Sequence, residues 1–247
     1  MSFKLEINQK YKTFNTTLIN IRDIFADTTK SIHKARNELK VISLESLDTV
    51  VKSFKIPNLL NQVVYSYFRD SKARKSYTYA LKIKGFTPEP IGYIEFYKFG
   101  LLKESYFISE EFKYDFTIRE PLLNKDFSNR EAIFQAFARF TLELHNSNIY
   151  HNDYSPGNIL IKKENDSFTF KIVDINRMDF FELKEEDRAK NFSKLWASEA
   201  ELTLMAQEYK KHYTCSDNFV QKVIAYSNQN KKIKNFKKKL KGKEIND

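Results

Sequence analysis

The stretch that constrains this chain most is His151-Asn152-Asp153-Tyr154-Ser155-Pro156-Gly157-Asn158-Ile159-Leu160. Sixteen residues after Asn158, a second apolar run, Phe170-Lys171-Ile172-Val173, closes on Asp174. A carboxylate and a carboxamide five residues apart share a loop tight enough to need Pro156 and Gly157. A strand, a turn and a second strand then bring the chain to another carboxylate. The bland alternative is a polar turn between two buried strands, with Asp153 and Asn158 capping it.

The pattern H-x-D-x-x-x-x-N followed by a strand ending in Asp resembles the catalytic and metal loops of protein-kinase-like phosphotransferases. That resemblance implies an α+β, two-lobed protein-kinase-like fold: an N-lobe with an antiparallel sheet plus one helix, and a mainly helical C-lobe. Phosphoryl transfer needs positioning and charge neutralisation more than covalent help. Asp153 is the expected catalytic residue, taking or orienting the proton of the attacking hydroxyl. Asn158 and Asp174 are the expected Mg²⁺ ligands, since magnesium favours hard oxygen donors and substrate phosphates. His151 is expected to bond backbone near the loop.

Length allows one two-lobed domain or two small ones. The expected division is residues 1–109 as N-lobe, 110–226 as C-lobe and 227–247 as a basic tail. One cysteine, Cys215, excludes an internal disulfide and suits a reducing compartment. No apolar run approaches the roughly 18 residues of a membrane span. The first residues lack the apolar core of a signal peptide. A cytoplasmic protein is therefore expected. The net charge is +10, and most of it lies beyond Ser227, where eight Lys face only Glu244 and Asp247. Such a tail, over 231–243, suits an anionic membrane or glycolipid surface, or is simply a solvated end. Nucleic acid is not an expected partner, because Phe236 alone interleaves the lysines.

In chain order, strands are expected at Phe3–Ile7 and Thr17–Ile24, then around 31–35, 38–44 and 49–54. Thr49-Val50-Val51-Lys52-Ser53-Phe54-Lys55 resembles the third kinase strand, so Lys52 is expected to reach the nucleotide phosphates, with Lys55 as the competitor. No glycine precedes Lys52. Lys34, Arg36 and Asn37 are therefore expected to bind phosphate in place of a Gly-rich loop. A helix is expected at 70–84, ending at Gly85. Asp70 is its one acid, so Lys52 lacks the usual Glu partner; Ser76 or Tyr77 is the expected substitute if Lys52 has one. A hairpin turns around Gly100 and leads to Glu110-Glu111-Phe112, where backbone at Glu110 and Phe112 is expected to meet the adenine edge. Ser128-Asn129-Arg130-Glu131 reads as a capping box for a long helix with an apolar stripe from Ile133 to Leu144. A helix from Lys184 is expected to bury Phe192 through Tyr209, and a last one spans Phe219–Tyr226.

Leu144-His145, Ile149 to Leu160 and Val173-Asp174-Ile175-Asn176-Arg177 further resemble the bacterial lipopolysaccharide kinase family, which includes the Kdo and heptose kinases. Arg36-Asn37, Lys52 and Thr87-Pro88-Glu89-Pro90 are similar too, over roughly residues 30–210. The resemblance implies ATP and Mg²⁺, a sugar hydroxyl of an anionic glycolipid as acceptor, and work at the cytoplasmic face of the inner membrane. The alternatives are a protein or small-metabolite kinase of the same fold, or a pseudokinase acting as a binding module.

Overall fold

The computed structural model describes residues 2–29, 31–34, 37–44, 46–165, 167–240 and 242. The chain forms two compact units: residues 1–113 with Asp174–Asn176, and residues 114–173 with 177–247.

The first unit opens with β1 (Ser2–Ile7), α1 (Asn15–Ile19) and α2 (Ile21–Asp27), joined by a 3-10 turn at Gln9–Phe14. The strand expected over Thr17–Ile24 is helical instead. Leu18, Ile21 and Phe25 recur at helical spacing and are buried in the sheet's core. Burial on that face outweighs the β preference of the branched residues. Then come β2 (Ser31–Lys34), β3 (Glu38–Leu44), β4 (Leu47–Ser53), α3 (Leu59–Tyr67), α4 (Lys72–Lys82), β5 (Pro90–Lys98) and β6 (Leu101–Glu110). All six strands form one antiparallel sheet in the order β1-β5-β6-β4-β3-β2. Alternation gives β4 its two faces: Val51 is fully buried, and Lys52 leaves the opposite side of the pleat. Val51, Ile94 and Ile108 anchor the core, at about 1.5–3 kcal/mol for each such side chain.

Two details fix this unit's edges. A Cβ on Gly92 would lie 2.7 Å from Glu6 O and 2.8 Å from a Leu18 methyl, so only glycine lets β1 and α1 close on β5. Lys40 is buried and donates to Phe25 O at 2.7 Å and Thr28 O at 2.6 Å, which closes the C-terminal end of α2 with a positive charge. Asn58 and Ser71 cap α3 and α4. The unit thus holds α1, α2 and α3 beside the single helix expected at 70–84.

The second unit contains β7 (Phe116–Thr117), α5 (Arg119–Leu123), α6 (Arg130–Asn146), β8 (Ile149–His151), β9 (Ile159–Glu164), β10 (Ser167–Ile172), β11 (Met178–Phe180), α7 (Glu185–Phe192), α8 (Glu199–Lys210) and α9 (Phe219–Lys239). The order β10-β9-β7 makes one small sheet and β11-β8 another. Phe134, Phe137 and Leu144 on α6 are fully buried, as are Leu202 and Met205 on α8. The expected capping box at Ser128 is not made: Asn129 takes the cap position at φ 57 with no side-chain cap bond. The helix expected from Lys184 breaks at Ser193–Ser198, with Trp196 at φ 58, and Ser198 with Glu201 forms a capping box for α8. The last helix runs thirteen residues past Tyr226, to Lys239. Lys241 and residues 243–247 of the basic tail lie outside the described residues.

Candidate active site

The loop expected to be catalytic leaves β8 at His151, which pairs with Met178 of β11. His151 is fully buried and works as a backbone clamp. Its Nδ1 accepts the Asp153 N–H at 3.1 Å, so its Nε2 carries the proton and donates to Val173 O at 3.1 Å. Tyr154 drives the loop into the core: its ring stacks on Phe137, and its hydroxyl donates to Thr141 Oγ1 at 2.9 Å. Burial raises that phenol above its ordinary range.

Asn158 ends a 3-10 turn at Pro156–Asn158. Its Nδ2 donates to Asp153 O at 2.9 Å, which fixes the amide and turns Oδ1 away from that carbonyl. Its own carbonyl accepts the Val173 N–H at 2.9 Å. The loop therefore pins the residue that immediately precedes Asp174.

Asp153 itself is partly exposed, with Arg177 Nη1 3.8 Å from Oδ2. Arg119 lies against Gly157, where a Cβ would come within 2.5 Å of its guanidinium. Lys234 of α9 sits over the Trp196 ring at 5.2 Å and within electrostatic range of Asp153. Neither Arg119 nor Lys234 was legible from the loop's motif, since both come from distant sequence; Arg177, three residues past Asp174, could have been noticed.

Behind the loop runs a buried relay. Arg188 donates to Tyr209 Oη at 2.9 Å, and Tyr209 donates to His145 Nδ1 at 3.0 Å. His145 Nε2 donates to Asn191 Oδ1 at 3.1 Å, and Asn191 Nδ2 donates to His151 O at 3.0 Å. Each donor faces an acceptor only if His145 is neutral. Burial, then the nearby Arg188 charge, hold its pKa down at about 3 against the bond to Asn191.

In the first unit, Lys52 Nζ donates to Asp174 Oδ1 at 2.7 Å across 122 residues of sequence. Asn176 Nδ2 donates to the same oxygen at 2.8 Å. Asp174 holds φ 56, in the left-handed region that Asp tolerates better than most side chains. Ser76 Oγ donates to Lys72 O, and the Tyr77 ring packs on Tyr93, while the acid that meets Lys52 is Asp174. Lys55 is exposed, and its N–H reaches Asn37 Oδ1 at 3.4 Å. Arg36 lies outside the described residues, as does the side chain of Lys34.

Glu110 ends β6, its N–H donating to Glu89 O at 2.8 Å, while the Glu111 N–H donates to Asp48 O at 2.9 Å. The Glu110 carboxylate accepts from Tyr11 Oη and, at 3.1 Å, from Lys10. Burial, then the bond to Glu110, push the Tyr11 phenol up to about 12. Phe112, half-buried, follows beyond the sheet.

Residues 100–214 match the family model described as "Kdo: Lipopolysaccharide kinase (Kdo/WaaP) family". That stretch is similar to the lipopolysaccharide kinase family. It spans β6, the catalytic loop, Asp174 and α8. No curated protein matches the chain by sequence. Among solved structures, "WaaP in complex with acyl carrier protein" aligns with TM-score 0.58 and 14% identity, over 93% of this chain and 99% of that one. A Rio2 kinase–ADP/Mg²⁺–phosphoaspartate complex from Chaetomium thermophilum aligns with TM-score 0.49 and 13% identity, over 88% and 67%. The fold is thus the two-lobed α+β fold of protein-kinase-like enzymes.

Proposed function

We propose that this lipopolysaccharide kinase relative is an ATP-dependent enzyme that phosphorylates a sugar hydroxyl, Kdo or heptose, of the lipopolysaccharide inner core. The observation that carries the reading is the Lys52–Asp174 contact at 2.7 Å: a strand lysine and the metal-loop carboxylate are brought together from opposite ends of the motif.

Asp174 and the fixed Oδ1 of Asn158 are hard oxygen donors, the kind Mg²⁺ takes when phosphates complete its shell. Among the described residues no group of three or more His, Cys, Asp or Glu forms a metal cage. Mg·ATP, when bound, supplies the phosphoryl group and the charge that neutralises the leaving diphosphate. Lys52 then exchanges its partner, Asp174, for phosphate oxygens. Arg36 and Asn37 serve the phosphates, and the backbone at Glu110 and Phe112 serves the adenine. Because the Glu110 N–H is already taken by Glu89 O, Phe112 is the better of those two donors. Asp153 accepts the proton of the acceptor hydroxyl as its oxygen bonds to phosphorus and ADP leaves.

The acceptor is an anionic glycolipid. Arg177, Arg119 and Lys234 gather cationic charge around the Asp153 loop, which suits a phosphate or carboxylate on the sugar. Along α9, Ile233, Phe236 and Leu240 are exposed beside Lys232, Lys237 and Lys239, which suits an anionic bilayer surface. No helix among the described residues is long and apolar enough to cross a membrane, and the proposed place of work is the cytoplasmic face of the inner membrane.

The test is incubation with γ-labelled ATP and purified Kdo–lipid A, beside a generic protein substrate. Label should enter the glycolipid and not the protein, and Asp153→Ala should lower the rate by about 10²–10⁴-fold while nucleotide still binds. Label in the protein alone, or full turnover by Asp153→Ala, overturns the reading.

A further inference from the structure

Helix α3 presents the wrong side to solvent. Two of its polar residues, Gln62 and Ser66, are turned to the protein, while Asn61 is exposed. Gln62 is 5% exposed, donates to Pro57 O at 2.7 Å and accepts from Lys103 at 2.8 Å. Ser66 Oγ donates to Gln62 O at 2.6 Å and accepts the Leu102 N–H at 2.9 Å, fastening the helix to β6. Its apolar residues, Leu59, Leu60, Val63 and Tyr67, are exposed, and Phe68 follows them.

The β5–β6 hairpin tip extends the same surface. A Cβ on Gly100 would lie 3.0 Å from Tyr67 Oη, so the tip abuts the end of α3. The two-residue turn puts Phe99 at φ 53 and Gly100 at φ 74. That conformation favours Asn at the first position, yet a Phe stands there, 91% exposed. A bulky ring held in the left-handed region and in water is unfavourable twice over, so the free chain alone gives no reason for it.

The charge around this surface is one-sided. In residues 55–70 and 98–103 the basic side chains are Lys55, Arg69, Lys98 and Lys103, and the one acid, Asp70, pairs with Arg74 at 3.2 Å. Leu60, at 80% exposure, and Phe99, whose ring carries the Lys98 ammonium at 5.7 Å, are protruding tips. Tips of this kind suit a fluid interface that closes around them, whereas a protein partner would need a matching socket for each.

We propose that α3 and the Phe99 tip form a membrane-docking surface, with Leu59, Leu60 and Phe99 entering the interfacial layer of an anionic bilayer while Lys55 and Lys98 meet the lipid headgroups. Tyr67 has the amphipathic ring that favours such a boundary. This surface is separate from the lysine face of α9 and does not depend on the phosphotransfer reading.

The test is co-sedimentation of the full chain, without nucleotide, with vesicles of phosphatidylcholine alone and of phosphatidylcholine with one quarter phosphatidylglycerol. The wild type should prefer the anionic vesicles. Leu60→Gln with Phe99→Asn should lower that partition by about tenfold or more. Both replaced side chains are exposed and Asn suits the turn, so the melting temperature should hold or rise. Lys98→Glu should weaken binding to the anionic vesicles only. Equal partition of wild type and double variant overturns the proposal. A wild-type dimer in light scattering that the double variant dissolves also overturns it, because the face then covers a second copy.

Discussion

His151, at the head of the catalytic loop, gives its carbonyl to Asn191, and behind Asn191 stand His145, Tyr209 and Arg188, all buried. Asp174 is held differently in its own unit. It is partly exposed, and Lys52 and Asn176 hold the same carboxylate oxygen. The first arrangement has nothing to exchange with a ligand: every group in it is spent on protein. The second consists of groups that a nucleotide's phosphates and metal can take over. The difference teaches where this fold spends its rigidity. On the proposed function, the loop that aims a proton acceptor is built before substrate arrives, and the residues that grip a changing charge are left to be re-partnered.

Breaking the relay should therefore act on stability, and strongly. Asn191→Ala removes the acceptor of the His145 N–H and the donor to His151 O, two hydrogen bonds of the buried relay. Each costs about 1–3 kcal/mol, so urea unfolding should lose roughly 2–5 kcal/mol with little change in slope. An unaltered midpoint would mean that the relay is not what holds the loop.

Breaking the Lys52–Asp174 pair should do the opposite. Lys52→Met removes an ion pair whose carboxylate is about a third exposed, so stability should move by no more than about 1 kcal/mol. Mg·ATP affinity, measured by titration, should fall roughly tenfold or more, the loss expected of a charge-assisted contact to phosphate. If Lys52→Met unfolds the protein and leaves nucleotide affinity alone, Lys52 is structural and the contrast between the two regions fails.

The sequence made the two regions legible to different degrees. The spacing of Asp153 and Asn158 makes a shared short turn legible, and the structure bonds Asn158 Nδ2 to Asp153 O across it. The sheet and α6 followed from alternation and from the stripe Ile133–Leu144. What escaped was set by tertiary packing. Thr17–Ile24 has strand composition, yet Leu18, Ile21 and Phe25 become helical to reach one core. The lone Asp70 made Lys52 look partnerless, and its partner lies 122 residues away. The relay was invisible for the same reason: His145, Asn191 and Tyr209 have no common motif, and only folding aligns their hydrogen bonds. The outward apolar side of α3 has no signal in the sequence, since composition alone cannot say which face a sheet will cover.

The finest distinction between the two regions is in their response to acid. His145 faces Arg188 from α7, Tyr209 from α8, and the ring of Phe192, and it stays neutral in the folded protein down to about pH 3. In the unfolded chain it takes a proton near the ordinary value of 6.5. Between those values the unfolded state binds the extra proton, so this residue's contribution to stability is complete above about pH 6.5 and drains away as pH falls toward 3. His145→Gln removes the titration along with part of the relay. The variant should be clearly weaker than wild type at pH 8, and the gap should narrow steadily below pH 6.5 when both are unfolded in urea. A gap that is constant from pH 8 to pH 4 would mean that His145 takes up its proton at the same pH folded and unfolded, and so is charged in the native relay below about pH 6.5. Its bonds would then have to be redrawn, because an imidazolium cannot accept from Tyr209.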